Sequence, residues 1–190
     1  MAGGSVICCV FLASGHSKRF GKDKLSIPFG GVTLSEYIIN KHPAEYFFRN
    51  IVVTRNANAA IAAATRGITV VENDDDTDDI AKTIALGLKA MPEKTEGCMF
   101  SVCDAPYFTA ESMRLLLDTF IADKTRIVAA GANGQRANPV IFPKELFAEL
   151  AALAPNESGS AVIARHMDLL TIVDIPENEL RDIDRPEDLV

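Results

Sequence analysis

Between Ala13 and Leu25 the chain reads ASGHSKRFGKDKL. Ser14, Gly15 and Ser17 are small, and Arg19, Lys22 and Lys24 follow closely. Small side chains let backbone N–H groups approach an anion, and the nearby cations offset its charge. This composition suits a polyphosphate. The rest of the molecule makes it conspicuous, because the formal net charge is -7. A second group with chemical potential is Asp104, in the run CMFSVCDAPYF. An apolar run that ends in a carboxylate and then Pro106 places that carboxylate at a strand terminus. There it either holds a divalent cation against phosphate or closes a turn. The sequence contains no Ser/His/Asp or Cys/His arrangement, so covalent acyl chemistry finds no support. His16 lies within the loop and reads as an exposed histidine.

Two familiar phosphate loops do not fit. A P-loop needs four residues between its glycines and a hydroxyl after the lysine. Here Gly15 and Gly21 enclose five residues, and Asp23 follows Lys22. A dinucleotide loop needs glycine where Ser17 and Phe20 stand.

These residues need a scaffold. Seven apolar runs read as strands, at 6–13, 50–54, 68–72, 98–103, 126–130, 139–142 and 169–175. Several are apolar continuously, as strands covered on both faces are. Helical patterns lie between them. Thr33 and Glu36 form a capping box. Ile80, Ile84, Leu88 and Met91 share a helical face that Pro92 ends. Met113, Leu116, Leu117 and Phe120 follow Thr109, a good N-cap. The alternation predicts an α/β single domain over 1–190, with a mainly parallel, Rossmann-like sheet between two helical layers. The acidic run ENDDDTDD (72–79) fails the calcium-loop pattern, because Asp79 replaces its glycine and Ala85 its closing glutamate. It reads as a solvated loop whose last aspartates cap the next helix.

The 190 residues are 48% hydrophobic and 24% charged, a balance ordinary for a globular protein. The acidic surplus argues against nucleic-acid binding. The apolar runs are too short to span a membrane, so the expected location is the cytoplasm. Cys8, Cys9, Cys98 and Cys103 form no CxxC pair and read as reduced core thiols.

LASGHSKRFGKDKL (12–25) resembles the signature of the MobA-like nucleotidyltransferase family, Leu-Ala-x-Gly-x-Ser-x-Arg-(Phe/Met)-Gly-x-x-Lys-Leu. CMFSVCDAPYFTAESM (98–113) is similar to the family's second motif, and GQRANPVIFPKELFAEL (134–150) to its third, with Ala137 where glycine is common. NESGSAVIARH (156–166) lacks the family's aspartate, and Ser158 or Ser160 reads as a helix cap. DIDRPEDL (182–189) resembles the C-terminal motif of the branch that transfers CMP to the molybdenum cofactor.

The resemblance implies the fold of nucleotide-diphospho-sugar transferases. It implies that the N-terminal half binds NTP and the C-terminal half the acceptor. Leu12, Ala13, Ser14, Gly15, Ser17, Arg19, Lys24 and Thr83 would contact the nucleotide. Arg19, Lys24 and Asp104 would be catalytic, Asp104 and Asp184 would hold Mg2+, and Arg136 and Asn138 would contact the acceptor. The Asp184-x-x-Glu187 spacing equally suits a helix cap. The implied reaction transfers CMP from CTP to the terminal phosphate of molybdopterin or the molybdenum cofactor, releasing pyrophosphate. A molybdenum hydroxylase apoenzyme is the implied recipient. Two alternatives stay open: another phosphorylated acceptor such as a sugar or alditol phosphate, with CTP or GTP, and a cofactor-carrying chaperone.

Overall fold

A computed structural model describes residues 5–15, 20, 23–183, 185 and 188. The chain starts with β1 (Ile7–Ala13), whose seven residues are buried but for Leu12 at its end. A short hairpin follows, β2 (Pro28–Phe29) and β3 (Val32–Thr33). Its turn holds Gly30 and Gly31 at φ of 60° and 89°. A two-residue turn with both φ values positive strongly favours glycine, and its twist matches the strands it joins. Then come α1 (Leu34–Lys41), β4 (Arg49–Thr54), α2 (Ala57–Thr65), β5 (Thr69–Glu72), α3 (Ile80–Lys89) and β6 (Gly97–Val102). The second half runs α4 (Ala110–Ala122), β7 (Ile127–Ala132), β8 (Gln135–Pro143), α5 (Phe147–Ala151), α6 (Gly159–Arg165) and β9 (Leu170–Asp174).

The main sheet has the order β5-β4-β1-β6-β8-β7-β9. All its pairings are parallel except the two that β8 makes with β6 and β7. All seven strands expected from the sequence are present, and the mainly parallel sheet stands. β8 is longer than PVIF and starts at Gln135, straight after the Asn133-Gly134 turn from β7. That turn is why β8 runs antiparallel: two residues can reverse a chain but cannot cross it over.

Side chains alternate across the sheet and define two cores. Cys9 and Phe11 face α1, α2 and α4, where Leu34, Ile39, Ala63, Leu116 and Phe120 are buried. Val10 faces α3, α5 and α6, with Ile84, Leu150 and Val162. Gly87 brings α3 close to β1, since a Cβ there would meet Val10 Cγ1 at 2.5 Å. The caps expected at Thr33 and Thr109 form, with their side chains accepting from Glu36 N and Ser112 N. Asp79 caps α3 and Ser158 caps α6. α3 itself ends at Lys89, so Met91 lies just past its last turn. All four cysteines are free and buried. Burial pushes the Cys9, Cys98 and Cys103 thiols well up, so they stay protonated. Among the described residues, no helix is long and apolar enough to cross a membrane.

The acidic run is largely exposed and Asp79 caps α3 as expected, while two of its aspartates also meet cations. Asp75 pairs with Lys82 at 2.8 Å and is held down at about 2, first by that ammonium. Asp76 lies 3.7 Å from Arg55.

His42, just past α1, is 4% exposed and lies edge-on to Phe11 and stacked on Phe47. Burial lowers its pKa from 6.5 to about 4. The unfolded chain therefore binds the extra proton before the folded one does. The stabilisation is complete above about pH 6.5 and is lost as pH falls towards 4. Urea titrations across this window should show wild type losing roughly 3 kcal/mol more than His42→Phe. Parallel losses in the two proteins would refute this assignment.

Candidate active site

Ligands of open α/β sheets bind at the carboxyl ends of the strands. Here β1, β4 and β6 end together. Leu12 and Ala13 close β1, and Ser14 and Gly15 follow. Ser14 Oγ donates to the Val53 carbonyl at 3.1 Å. Thr54 Oγ1 donates to the Ala13 carbonyl at 2.8 Å and accepts from Asn56 N at 2.9 Å. These bonds fasten the start of the loop to the end of β4. Ser17 and Arg19 lie outside the described residues.

The Asp23 carboxylate accepts from Leu25 N and caps a short turn over Lys24–Ser26. That turn delivers Lys24 across the sheet. Lys24 Nζ donates to Asp104 Oδ2 at 2.6 Å, joining residues 80 apart. The two side chains are only 16% and 21% exposed. Asp104 follows β6 after Cys103, where its turn leads to α4. Its other oxygen, Oδ1, is buried and has no hydrogen-bond partner among the described residues. Leaving a buried acceptor unmatched costs about 1–3 kcal/mol. A hard cation would relieve that cost, because carboxylate oxygen is the donor magnesium prefers. Asp104 therefore fits such an ion. Among the described residues, no group of three or more His, Cys, Asp or Glu gathers around a metal position. Magnesium characteristically uses one or two carboxylates together with phosphate oxygens and water. Ile183 N donates to the Asp104 carbonyl at 2.8 Å, and Ile183 is fully buried. The chain is thus anchored beside Asp104 one residue before Asp184, which itself lies outside the described residues.

Two clefts flank this centre on the α3 face. A small one, about 60 Å³, is lined by Leu12, Ser14, Gly15, Asn73, Asp78, Asp79, Ile80 and Thr83. It brings Thr83 to the phosphate loop. Asn73 Nδ2 donates to Thr83 Oγ1 at 3.2 Å, which fixes that hydroxyl. The other cleft, about 140 Å³, contains both Arg136 and Asn138, together with Ser158 and Ser160. Arg136 donates to Ser160 Oγ at 2.9 Å, so Ser160 orients the guanidinium, while Ser158 caps α6. The clefts share Leu12 and Ile80.

Some groups at the site were not singled out from the sequence. Arg55 is the first residue past β4 and lines a cavity of about 130 Å³ with Ala13, Gly15 and Asp23. It brings a guanidinium beside Gly15 and lies 3.7 Å from Asp76. Its signal was available: it stands where a strand of a parallel sheet ends. Asn73 occupies the same position after β5.

The described site has one unmatched carboxylate oxygen that fits a cation, one ammonium against the same carboxylate, and two adjoining clefts on the α3 face. It can neutralise and orient a polyphosphate, and it presents no activated nucleophile of its own.

Comparison with known proteins agrees with this reading. The family model described as the MobA-like NTP transferase domain matches residues 9–170. Rv0371c of Mycobacterium tuberculosis H37Rv superposes with a TM-score of 0.81 at 20% identity, covering 97% of this chain and 96% of that one. A nucleotidyl transferase from Methanothermobacter gives 0.81 at 19%, covering 97% and 94%. A 4-diphosphocytidyl-2C-methyl-D-erythritol synthase from Anaerococcus prevotii DSM 20548 gives 0.74 at 15%, covering 98% and 96%. These likenesses establish the fold, including the nucleotide-diphospho-sugar transferase architecture.

Proposed function

The chain belongs to the MobA-like NTP transferase family, which makes it a nucleotidyltransferase, and on that footing we propose that it transfers CMP from CTP to the terminal phosphate of molybdopterin or the molybdenum cofactor. The observation that carries nucleotidyl transfer at this site is the Lys24–Asp104 pair beside the small-residue loop, with Asp104 Oδ1 left open. The choice of CTP and of this acceptor rests on the LASGHSKRFGKDKL and DIDRPEDL motifs.

In this reading, the N-terminal half holds the nucleotide and the C-terminal half the acceptor. The base enters the cleft of Leu12, Ser14 and Thr83, and the triphosphate lies along Gly15 and Ser17. Arg19 and Lys24 neutralise the β- and γ-phosphates. Arg136 and Asn138 orient the acceptor. Its phosphate oxygen attacks the α-phosphorus, the bond to the bridging oxygen breaks, and the electron pair leaves on pyrophosphate. A phosphate monoester is already anionic near neutral pH, so positioning and charge neutralisation suffice without a general base. Asp104, with Asp184, would hold magnesium, which offsets the charge that accumulates on the phosphates. A structure of the Mycobacterium tuberculosis relative Rv0371c is described as a complex with manganese, which supports a divalent ion here.

A second acceptor class has an observation in its favour. The Anaerococcus relative is named for a cytidyl derivative of a methylerythritol. An alditol phosphate would then replace molybdopterin in the Arg136 cleft. A matrix of four NTPs against molybdopterin, a sugar phosphate and an alditol phosphate separates the readings. Pyrophosphate release is expected with CTP and molybdopterin, at least tenfold above any other pair. Faster release with an alditol phosphate would transfer the assignment to that class. Tight cofactor binding without turnover of any NTP would leave only a carrying role, with delivery to a molybdenum hydroxylase apoenzyme.

A further inference from the structure

Helix α4 begins with half of a capping box. Thr109 Oγ1 accepts from Ser112 N at 3.1 Å, as an N-cap threonine does. In the full motif a glutamate three residues on accepts from the N–H of the cap, the pattern that Thr33 and Glu36 carry at α1. In α4 that place is taken by Ser112, which has no carboxylate. Glu179, 70 residues away, supplies it instead: its Oε2 accepts from Thr109 N at 3.0 Å. Glu179 is only 8% exposed. Burying a carboxylate is costly unless it is hydrogen-bonded, and the nucleotidyl-transfer reading makes no use of this one.

Glu179 belongs to an arm that follows β9 and includes a short turn over Glu177–Leu180. This arm grips one short stretch of the chain, from Asp104 to Thr109. Glu179 holds the far end at Thr109. Ile183 N donates to the Asp104 carbonyl at 2.8 Å and holds the near end. Between them, the Arg181 guanidinium lies 5.8 Å from the centre of the Tyr107 ring, within cation–π range. Leu180 and Ile183 anchor the arm in the core on the α1 and α4 side. The gripped stretch carries the Asp104 carboxylate. A carboxylate holds a cation well only when its own direction is fixed, and removing the groups that fix a metal ligand typically costs about 10–100-fold in affinity.

We propose that Glu179 is a positioning residue of the active site: by accepting from Thr109 N it closes the arm on the turn and fixes the direction of Asp104. The proposal rests on the reading of Asp104 as the carboxylate that holds the metal. Glu179 acts through the turn, by its hydrogen bond and not by its charge.

Two conservative variants separate bond from charge. Glu179→Gln keeps an acceptor of the same reach and loses the charge. Glu179→Asp keeps the charge and is one methylene too short for Thr109 N. Electron paramagnetic resonance of free Mn2+ reads the metal position without nucleotide or turnover. Glu179→Asp should bind Mn2+ about tenfold more weakly than wild type, and Glu179→Gln within about twofold of it. A merely structural Glu179 would lower the urea midpoint and leave the Mn2+ affinity of the folded protein unchanged. Should Glu179→Asp fail to fold, wild type carries the test. Coupling is reciprocal, so Mg2+ at about ten times its dissociation constant should slow hydrogen exchange of the Thr109 and Ile183 amides about fivefold. The proposal is overturned if folded Glu179→Asp binds Mn2+ as wild type does, if Glu179→Gln loses as much affinity as Glu179→Asp, or if Mg2+ leaves the exchange of both amides unchanged. Absence of Mn2+ binding to wild type is a different result: it removes the metal reading of Asp104 and this proposal with it.

Discussion

Asp104→Ala is expected to lower pyrophosphate release by at least about 10³-fold while the protein remains folded. The loss follows from position. Asp104 supplies the carboxylate that meets Lys24 at the end of β6, with its Oδ1 unmatched among the described residues. Without it, charge on the phosphates is met by Lys24 and the loop cations alone. The fold should tolerate the change for two reasons. The side chain sits in a turn, and the bond from Ile183 N goes to the backbone carbonyl, which the substitution keeps. The unmatched Oδ1 also disappears, and its cost of about 1–3 kcal/mol offsets the lost pairing with Lys24. The urea midpoint should therefore stay close to that of wild type. Retained turnover, or a collapse of stability that accounts for the loss, would contradict this role. Asp104→Asn should be equally inactive, because an amide keeps the shape and loses the charge.

Lys24→Gln should separate two quantities that ordinarily move together. Turnover should fall about 100-fold, because the ammonium proposed to neutralise the departing phosphates is gone. Binding of Mn2+ in the absence of nucleotide should instead become about tenfold tighter. Lys24 Nζ lies 2.6 Å from Asp104 Oδ2, so ammonium and metal compete for one carboxylate. Removing the ammonium removes the competitor, and a tenfold change corresponds to about 1.4 kcal/mol. Electron paramagnetic resonance of free Mn2+ reads this directly. If Mn2+ bound more weakly to Lys24→Gln than to wild type, Lys24 would be organising the metal position and not guarding it. On this account, arrival of a triphosphate at wild type would give Lys24 a new partner and open Asp104 to the ion at the same moment.

The strands were legible because each is a mainly apolar run and several are apolar continuously, as central strands of a sheet sandwiched between helices are. Direction was not legible. β8 runs antiparallel because of the Asn133-Gly134 turn, and the apolar pattern of PVIF is the same in either direction. α2 was missed because ANAAIAAAT is so rich in alanine that no polar face contrasts with an apolar one. The hairpin of β2 and β3 has two residues per strand, too short for any period to register. At the site, Lys24 could be named from the long spaced loop motif, Asp104 from the second motif and Arg136 and Asn138 from the third, while Thr83 was implied by the resemblance outside these motifs. The structure brings Lys24 to Asp104, Thr83 to Gly15, and Arg136 to Asn138. Arg55, Asn73 and His42 could not be named the same way. For Arg55 and Asn73 the importance lies in which strand ends converge, and for His42 in the burial of its ring, and neither is written in local spacing.

The central claim is cleavage between the α- and β-phosphates of CTP with transfer to a phosphate acceptor. Phosphorus-31 resonance of the protein with CTP, magnesium and molybdopterin tests it most directly. The three triphosphate signals should be replaced by pyrophosphate and by the two coupled signals of a new diphosphate bridge, and Asp104→Ala should leave them unchanged. Unaltered CTP in the wild-type sample, or orthophosphate in place of pyrophosphate, would contradict the account.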